Sequence, residues 1–173
     1  KEKYFVTDVP VILLPATFIH WKGQMLVLNA FDKIRDLDFY CIFIGDLSKN
    51  LNYTAAIRAK ITDLKFQSKV KIFSQEPDMR PLYAISDIVL SASTAPDAFN
   101  RSIVEAQSME KIVISTNIGS SSEIVNKDNG FLLDRIDADS LANQIRDTLS
   151  NLSSKQFKSM AKNARQSAIE KYD

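Results

Sequence analysis

This sequence predicts an α/β fold, a doubly wound parallel sheet of about six strands, and three observations carry that expectation. Short apolar runs alternate along the whole chain with amphipathic stretches of helical period. The links between them are short, which implies parallel strands joined by right-handed crossovers with helices on both faces. No repeat, low-complexity segment or internal linker interrupts the 173 residues, a length that suits one Rossmann-like domain over residues 1–173.

In chain order, residues 9–15 are nearly all apolar and read as a buried strand. Residues 22–34 read as a helix, with Met25, Leu28 and Phe31 near one face. A second strand spans 39–44 and ends at Gly45-Asp46. Residues 53–64 are helical, because Ile57, Ile61 and Leu64 recur at spacings of four and three. A strand at 69–73, a short helix at 79–85 and a strand at 87–91 follow. The turn 96–100 opens a helix at 101–109. Residues 111–115 form a fifth strand, 119–126 a turn and short helix, and 130–133 a sixth strand. Helices at 139–149 and 154–171 close the chain; the latter carries Phe157, Met160, Ala164 and Ala168 as its apolar stripe.

The composition narrows the function. Apolar residues make up 45% and charged residues 25%, ordinary for a globular protein. A net charge of +1 provides no basic footprint for nucleic acid. Cys41 lies in an apolar run and reads as a buried core thiol. A lone cysteine forms no internal disulfide and fits a reducing compartment, so the cytoplasm is expected. One histidine, His20, beside one cysteine leaves no His/Cys zinc cluster. No G-x-S-x-G elbow accompanies it for a Ser-His-Asp triad. No run approaches the roughly 18 apolar residues of a spanning helix, and no basic-then-apolar leader opens the chain. The chain starts at Lys1 without an initiator methionine, so a preceding segment is expected.

Doubly wound sheets bind ligands beyond the carboxyl ends of their strands. That rule directs attention to the loops after residues 15, 45, 73, 91 and 115. In the first, Lys22 beside Gly23 precedes a helix and can reach a phosphate there; a solvated turn lysine is the simpler alternative. In the fourth, Asp97 sits in the turn and Glu105 in the second turn of the following helix. The first amides of that helix, around 100–102, lack intrahelical partners and can hold a diphosphate. A nearby carboxylate can accept hydrogen bonds from sugar hydroxyls. Asp97 as a helix cap and Glu105 as a surface residue is the competing reading. In the fifth, residues 116–123 form either an anion nest or a capping turn.

The order and spacing of Trp21-Lys22-Gly23-Gln24, Asp97-x7-Glu105-Ala106, Gly119, Glu123 and residues 129–133 resembles the C-terminal domain of family-4 retaining glycosyltransferases. These enzymes have the GT-B architecture, two Rossmann-like domains facing a cleft. The resemblance runs from about residue 9 to the final helix and is most specific over 96–124. The Trp-Lys-Gly-Gln form is similar to bacterial members that build lipopolysaccharide and other surface glycans.

The resemblance implies roles. A nucleotide diphosphate-sugar is the donor, with no cofactor and no bound metal. A glycan or glycolipid is the acceptor, held by an N-terminal domain absent from this chain. No transmembrane segment is expected here, and the full protein is expected to associate peripherally with the inner face of the membrane. Lys22 contacts the donor diphosphate, and Glu105 the ribose hydroxyls. Asp97, one methylene shorter than the family's usual glutamate, stands at the reacting centre. Phe99, Asn100, Arg101 and Ser102 shape the sugar and phosphate pocket, and the base lies near residues 73–75.

The departures are specific. Thr17 occupies the place of an arginine that pairs with the lysine, losing charge and bidentate geometry. Ala16, Asn100, Glu110 and Ser120 stand where glycines are common, and each could narrow the pocket. A degenerate, non-catalytic relic that serves as an interaction or nucleotide-binding module is therefore the alternative to an enzyme domain. On either reading this half alone is expected to transfer no sugar.

Overall fold

The computed structural model describes residues 2–4, 8–96 and 99–172. Six strands, β1 (Val11–Pro15), β2 (Tyr40–Gly45), β3 (Val70–Ser74), β4 (Ile88–Ser91), β5 (Ile112–Thr116) and β6 (Phe131–Leu133), form one sheet in the order β3-β2-β1-β4-β5-β6. Every neighbouring pair is parallel. The chain winds outward from β1 to β3, then returns to place β4 on the other side of β1. The switch point, where the crossovers change direction, therefore lies between β1 and β4. Among the described residues, seven α-helices supply the connections and the C-terminal cover: α1 (Gln24–Asp32), α2 (Leu51–Asp63), α3 (Arg80–Ile85), α4 (Arg101–Ser108), α5 (Ser121–Ile124), α6 (Ala138–Asn151) and α7 (Lys155–Tyr172).

The strands are apolar on both sides because both sides are covered. Ile12 and Leu14 point to one face, where they join Phe31, Ile57 and Ile145. Val11 and Leu13 point to the other, where they join Tyr83, Ile103 and Ala106. Each such side chain, fully withdrawn from water, contributes about 1.5–3 kcal/mol. Cys41 is buried within the first layer, and that burial pushes its thiol pKa well up, so it stays protonated and unreactive. Among the described residues, no helix is long and apolar enough to cross a membrane.

All six expected strands are present along the chain. Most boundaries shift by a residue or two, and one shift has a clear reason. The helix expected from residue 22 begins at Gln24, and His20–Lys22 forms a separate 3-10 turn. Gly23 between them has φ of 82°, a left-handed conformation that interrupts an α-helix.

Helices α2 and α4 end alike. Lys65 N–H bonds Thr62 O and Phe66 N–H bonds Ile61 O; Glu110 N–H bonds Gln107 O and Lys111 N–H bonds Ala106 O. These are Schellman caps. Their left-handed positions hold Lys65 (φ 59°) and Glu110 (φ 56°) instead of glycine. The glycine missing at Glu110 is thus a helix-capping matter, at the C-terminal end of α4. The left-handed form costs a non-glycine residue about 1–2 kcal/mol. Glu110→Gly should therefore stabilise the fold by about 1 kcal/mol after the entropy of glycine is subtracted. A melting temperature higher by roughly 2–4 °C in circular dichroism is the expected outcome; an unchanged or lower value would contradict it.

Candidate functional site

The site is organised by how closely the loop after β1 approaches its neighbours. Ala16 N–H bonds Ile44 O at 2.9 Å and Phe18 N–H bonds Asp46 O at 3.0 Å, so the loop continues β1 alongside the end of β2. A methyl group on Gly45 would stand 2.1 Å from Ala16 O, and one on Gly23 would stand 1.9 Å from Ala92 O. Neither position has room for a side chain, because both neighbours are backbone. Across the switch point, Thr94 N–H bonds Trp21 O at 2.8 Å. The loops after β1 and β4 are thereby locked to one another.

Gln24 completes the lock. It is fully buried at the first position of α1. Its amide donates to Thr17 O at 2.9 Å and to Ala16 O at 3.3 Å, while its own oxygen accepts from the Tyr53 hydroxyl at 3.3 Å. The Tyr53 hydroxyl in turn accepts from Met25 N–H. The sequence drew attention to Gln24 only as part of a four-residue run. Its buried carboxamide is what holds the loop in place.

Beside this loop, a cleft of about 450 Å³ opens at the carboxyl ends of β1, β2 and β3. That volume lies in the range of small-molecule sites. Ala16 and Thr17 form one wall and Gly45-Asp46 the next. Gln75 and Glu76, after β3, form the third. Arg101, Ser102 and Glu105, from the first two turns of α4, close the fourth. Tyr83 of α3 lies beneath them. Its hydroxyl donates to Glu105 Oε2 at 2.8 Å and fixes the carboxylate at the edge of the cleft. Burial, together with the adjacent Glu105 charge, raises the Tyr83 pKa well above its ordinary value, so the phenol remains a donor.

The charges in the cleft are already partly committed. The Asp46 carboxylate accepts from Ser48 N–H and Ser48 Oγ at 2.8 and 2.7 Å. The Ser48 hydroxyl and amide hold its pKa below the ordinary aspartate value. Glu76 pairs with Lys3 at 2.8 Å. Glu105, held by the Tyr83 hydroxyl, faces the opening.

Four of the residues singled out from the sequence meet here: Thr17, Arg101, Ser102 and Glu105. Three others do not line this cleft. Lys22 ends the 3-10 turn one residue before Gly23 and is half-buried. Phe99 is 48% exposed, and its ring meets the edge of Tyr172 at 5.6 Å between centroids. Asn100 turns inward: its amide donates to Ser91 Oγ, and its oxygen accepts from Ser102 Oγ at 2.8 Å. With φ of −94° it needs no glycine conformation. The expectation that Asn100 narrows the pocket is therefore not met. Asp97 lies outside the described residues.

In the loop after β5 no side chain caps the start of α5, and the hydroxyls bond elsewhere. Thr116 Oγ1 donates to Ser93 O at 2.7 Å, and Ser115 Oγ bonds Ser121 Oγ at 3.1 Å. These hydroxyls tie β5 to the end of β4 and to α5. Tyr83 and Asp46, which sequence reasoning missed, join the site from elements far away in the chain.

The sequence model of the family described as glycosyl transferases group 1 matches residues 1–167. The chain belongs to this family. The glycosyltransferase of Rickettsia africae is 40% identical; the match covers 98% of this chain and 45% of that one, with a TM-score of 0.95. Anabaena HepE, crystallised with UDP and glucose, is 29% identical over 99% of this chain and 46% of its own, with a TM-score of 0.92. A curated relative, the lipopolysaccharide 1,2-N-acetylglucosaminetransferase of Salmonella typhimurium, is 28% identical over 164 residues, 90% of this chain and 43% of its own length. This group 1 glycosyltransferase chain thus spans less than half the length of these relatives. Its Rossmann-like sheet matches GT-B glycosyltransferase structures.

The role of Gln24 is open to direct test. Gln24→Ala would leave Thr17 O and the Tyr53 hydroxyl without their partner. Each buried group so abandoned costs about 1–3 kcal/mol. A lower melting temperature is expected, together with faster amide hydrogen exchange at the loop amides of Ala16 and Phe18. Unchanged exchange there would show that the loop does not depend on Gln24.

Proposed function

We propose that this chain is the donor-binding domain of a glycosyltransferase, which takes a sugar from a nucleotide diphosphate-sugar and passes it, with retention, to a surface-glycan or lipopolysaccharide acceptor. One observation carries the reading: Glu105, Arg101 and Ser102 of one helix start face the β1, β2 and β3 loops across a single cleft. The cleft suits a nucleoside diphosphate in two parts. Glu105, held by Tyr83, is positioned to accept hydrogen bonds from a ribose diol, next to Gln75 where a base would lie. The amides that open α4, with Arg101 and Ser102, suit the diphosphate. HepE in complex with UDP-glucose, 29% identical to this chain, supports a uridine nucleotide as the first ligand to test.

On this reading Lys22 adds positive charge from the adjoining turn, and Asp97 stands at the reacting centre. Phe99 and Asn100 shape the approach without lining the nucleotide cleft. No resident metal is needed: helix amides and basic side chains stabilise the leaving diphosphate. The acceptor is held by a second, N-terminal domain. Near-attack geometry requires both walls, so the 173 residues alone should release no sugar onto any acceptor. The reaction belongs in the cytoplasm, where nucleotide-sugars are made, at the inner face of the membrane.

A second reading has its own support. Among the described residues, three carboxylates, Asp46, Glu76 and Glu105, line the cleft with a single guanidinium, that of Arg101. Thr17 adds no charge where the resembling family has arginine. A non-catalytic module that has lost its donor would look like this.

Calorimetric titration of UDP and GDP against four proteins separates the two readings. The parent should bind UDP weakly. Glu105→Ala should weaken binding by tenfold or more, since a hydrogen bond to a charged group is worth about 1.5–3 kcal/mol. Thr17→Arg should tighten it by roughly ten- to a hundredfold for the same reason. Asn100→Gly should give no gain in affinity, because its side chain points inward and does not narrow the cleft. If neither nucleotide binds the parent or the arginine variant while the fold stays intact, the donor reading fails and the non-catalytic module stands.

A further inference from the structure

The outer surface of α7 is divided into two rows of different chemistry. Phe157, Met160, Ala164 and Ala168 form its buried face; Phe157 packs on Phe131 and, with Met160, on Ile112. Lys155, Lys158, Lys162, Arg165, Ile169 and Tyr172 follow one another at spacings of three, four, three, four and three, which places all six on one face. All six are exposed. The adjacent exposed row, Gln156, Ser159, Asn163, Gln166 and Glu170, carries one charge, and it is negative. The whole chain has a net charge of only +1, so four cations in line without an acid among them are a local concentration.

The surroundings reinforce the pattern. Lys158 and Lys162 border a cleft of about 340 Å³ that Lys111 also lines. The two acids in that cleft are engaged: Asp87 accepts from Val11 N–H at 2.7 Å, and Glu110 stands 3.9 Å from Arg165. Among the described residues, Lys155, Lys158 and Lys162 make no ion pair. At its far end the row becomes apolar, where Ile169 is 43% and Tyr172 39% exposed. Tyr172 meets the exposed ring of Phe99, so the row ends in a patch of three apolar side chains.

We propose that this row is a docking surface for an anionic phospholipid bilayer: the four cations engage headgroups, while Ile169 and Tyr172 enter the interface. Basic side chains in line with aromatic and aliphatic ones on one helix face are the pattern of interfacial binding. A nucleic acid would be met by the cations but has no counterpart for the apolar end. The surface also has a position that matters. Arg165, Ile169 and Tyr172 line a groove that includes Glu105, the residue that faces the nucleotide cleft from its other side. A bilayer seated on α7 would therefore lie one helix away from the donor site. The inference does not rest on donor binding, since vesicle binding needs neither nucleotide nor turnover.

Co-sedimentation of the 173-residue chain with vesicles tests it. The expected result is binding to phosphatidylcholine vesicles containing phosphatidylglycerol, little binding to phosphatidylcholine alone, and loss of binding at high ionic strength. Lys155→Gln, Lys158→Gln and Lys162→Gln together should weaken partitioning about a hundredfold, at roughly fivefold per lysine near a charged surface. Removing three exposed cations elsewhere, by Arg58→Gln, Lys65→Gln and Lys127→Gln, should leave it largely intact. Ile169→Ser with Tyr172→Ser should weaken binding while preserving its salt dependence. All these positions are exposed, and circular dichroism should show unaltered melting. Equal loss from both lysine and control sets would mean that charge count alone matters and would overturn the proposal. So would failure of the parent to bind anionic vesicles, including the case where it binds duplex DNA instead.

Discussion

Two backbone contacts that leave no room for a side chain govern this molecule. Gly23 lies against Ala92, and Gly45 against Ala16. Because of them the loops after β1, β2 and β4 converge at one end of the sheet, where the crossovers change direction. Any larger residue at either glycine would collide with a carbonyl group, and the loops would have to separate. Gly23 carries a second requirement, a left-handed φ, so a substitution there would be strained even with space. The Gln24 carboxamide then ties Ala16 and Thr17 from within, so the wall of the cleft is set by the protein before any ligand arrives. Preorganisation of this kind lowers the ordering cost of binding.

The opposite wall is made differently. Helix α4 brings Arg101, Ser102 and Glu105 to the opening, and its first turn is fixed by the inward Asn100, which bridges Ser91 and Ser102. Tyr83 supports Glu105 from below. A carboxylate that accepts one neutral hydrogen bond keeps lone pairs available for a sugar diol. A carboxylate paired with arginine or lysine would be committed. Glu76 has taken that other course with Lys3, while Asp46 Oδ1 already accepts both the amide and the hydroxyl of Ser48. Three acids in one cleft are thereby distinguished by what they already hold.

Much of this was legible in the sequence, for physical reasons. Strands buried on both faces are continuous apolar runs, so residues 39–44 and 111–115 could be read with little error. Glu105 could be placed because its spacing from Asp97 is local. Gly23 was visible as a glycine before a helix, though it also ends the 3-10 turn and delays the helix to Gln24. What was not legible depends on distance along the chain. Tyr83 reaches Glu105 across 22 residues, and Tyr53 reaches Gln24 across 29; no local pattern announces either. The direction of Asn100 is likewise a tertiary fact: sequence gave a lost glycine, and structure gave a side chain that turns inward to bridge Ser91 and Ser102.

The most direct test of the account is amide chemical-shift mapping of the isotopically labelled chain on addition of UDP. The account predicts perturbations confined to the cleft: Ala16 and Thr17, Gly45 and Asp46, Gln75 and Glu76, and Arg101 to Glu105. Perturbations concentrated instead at the sheet edge around Tyr40, Lys71 and Phe73, where a different cavity opens, would contradict it.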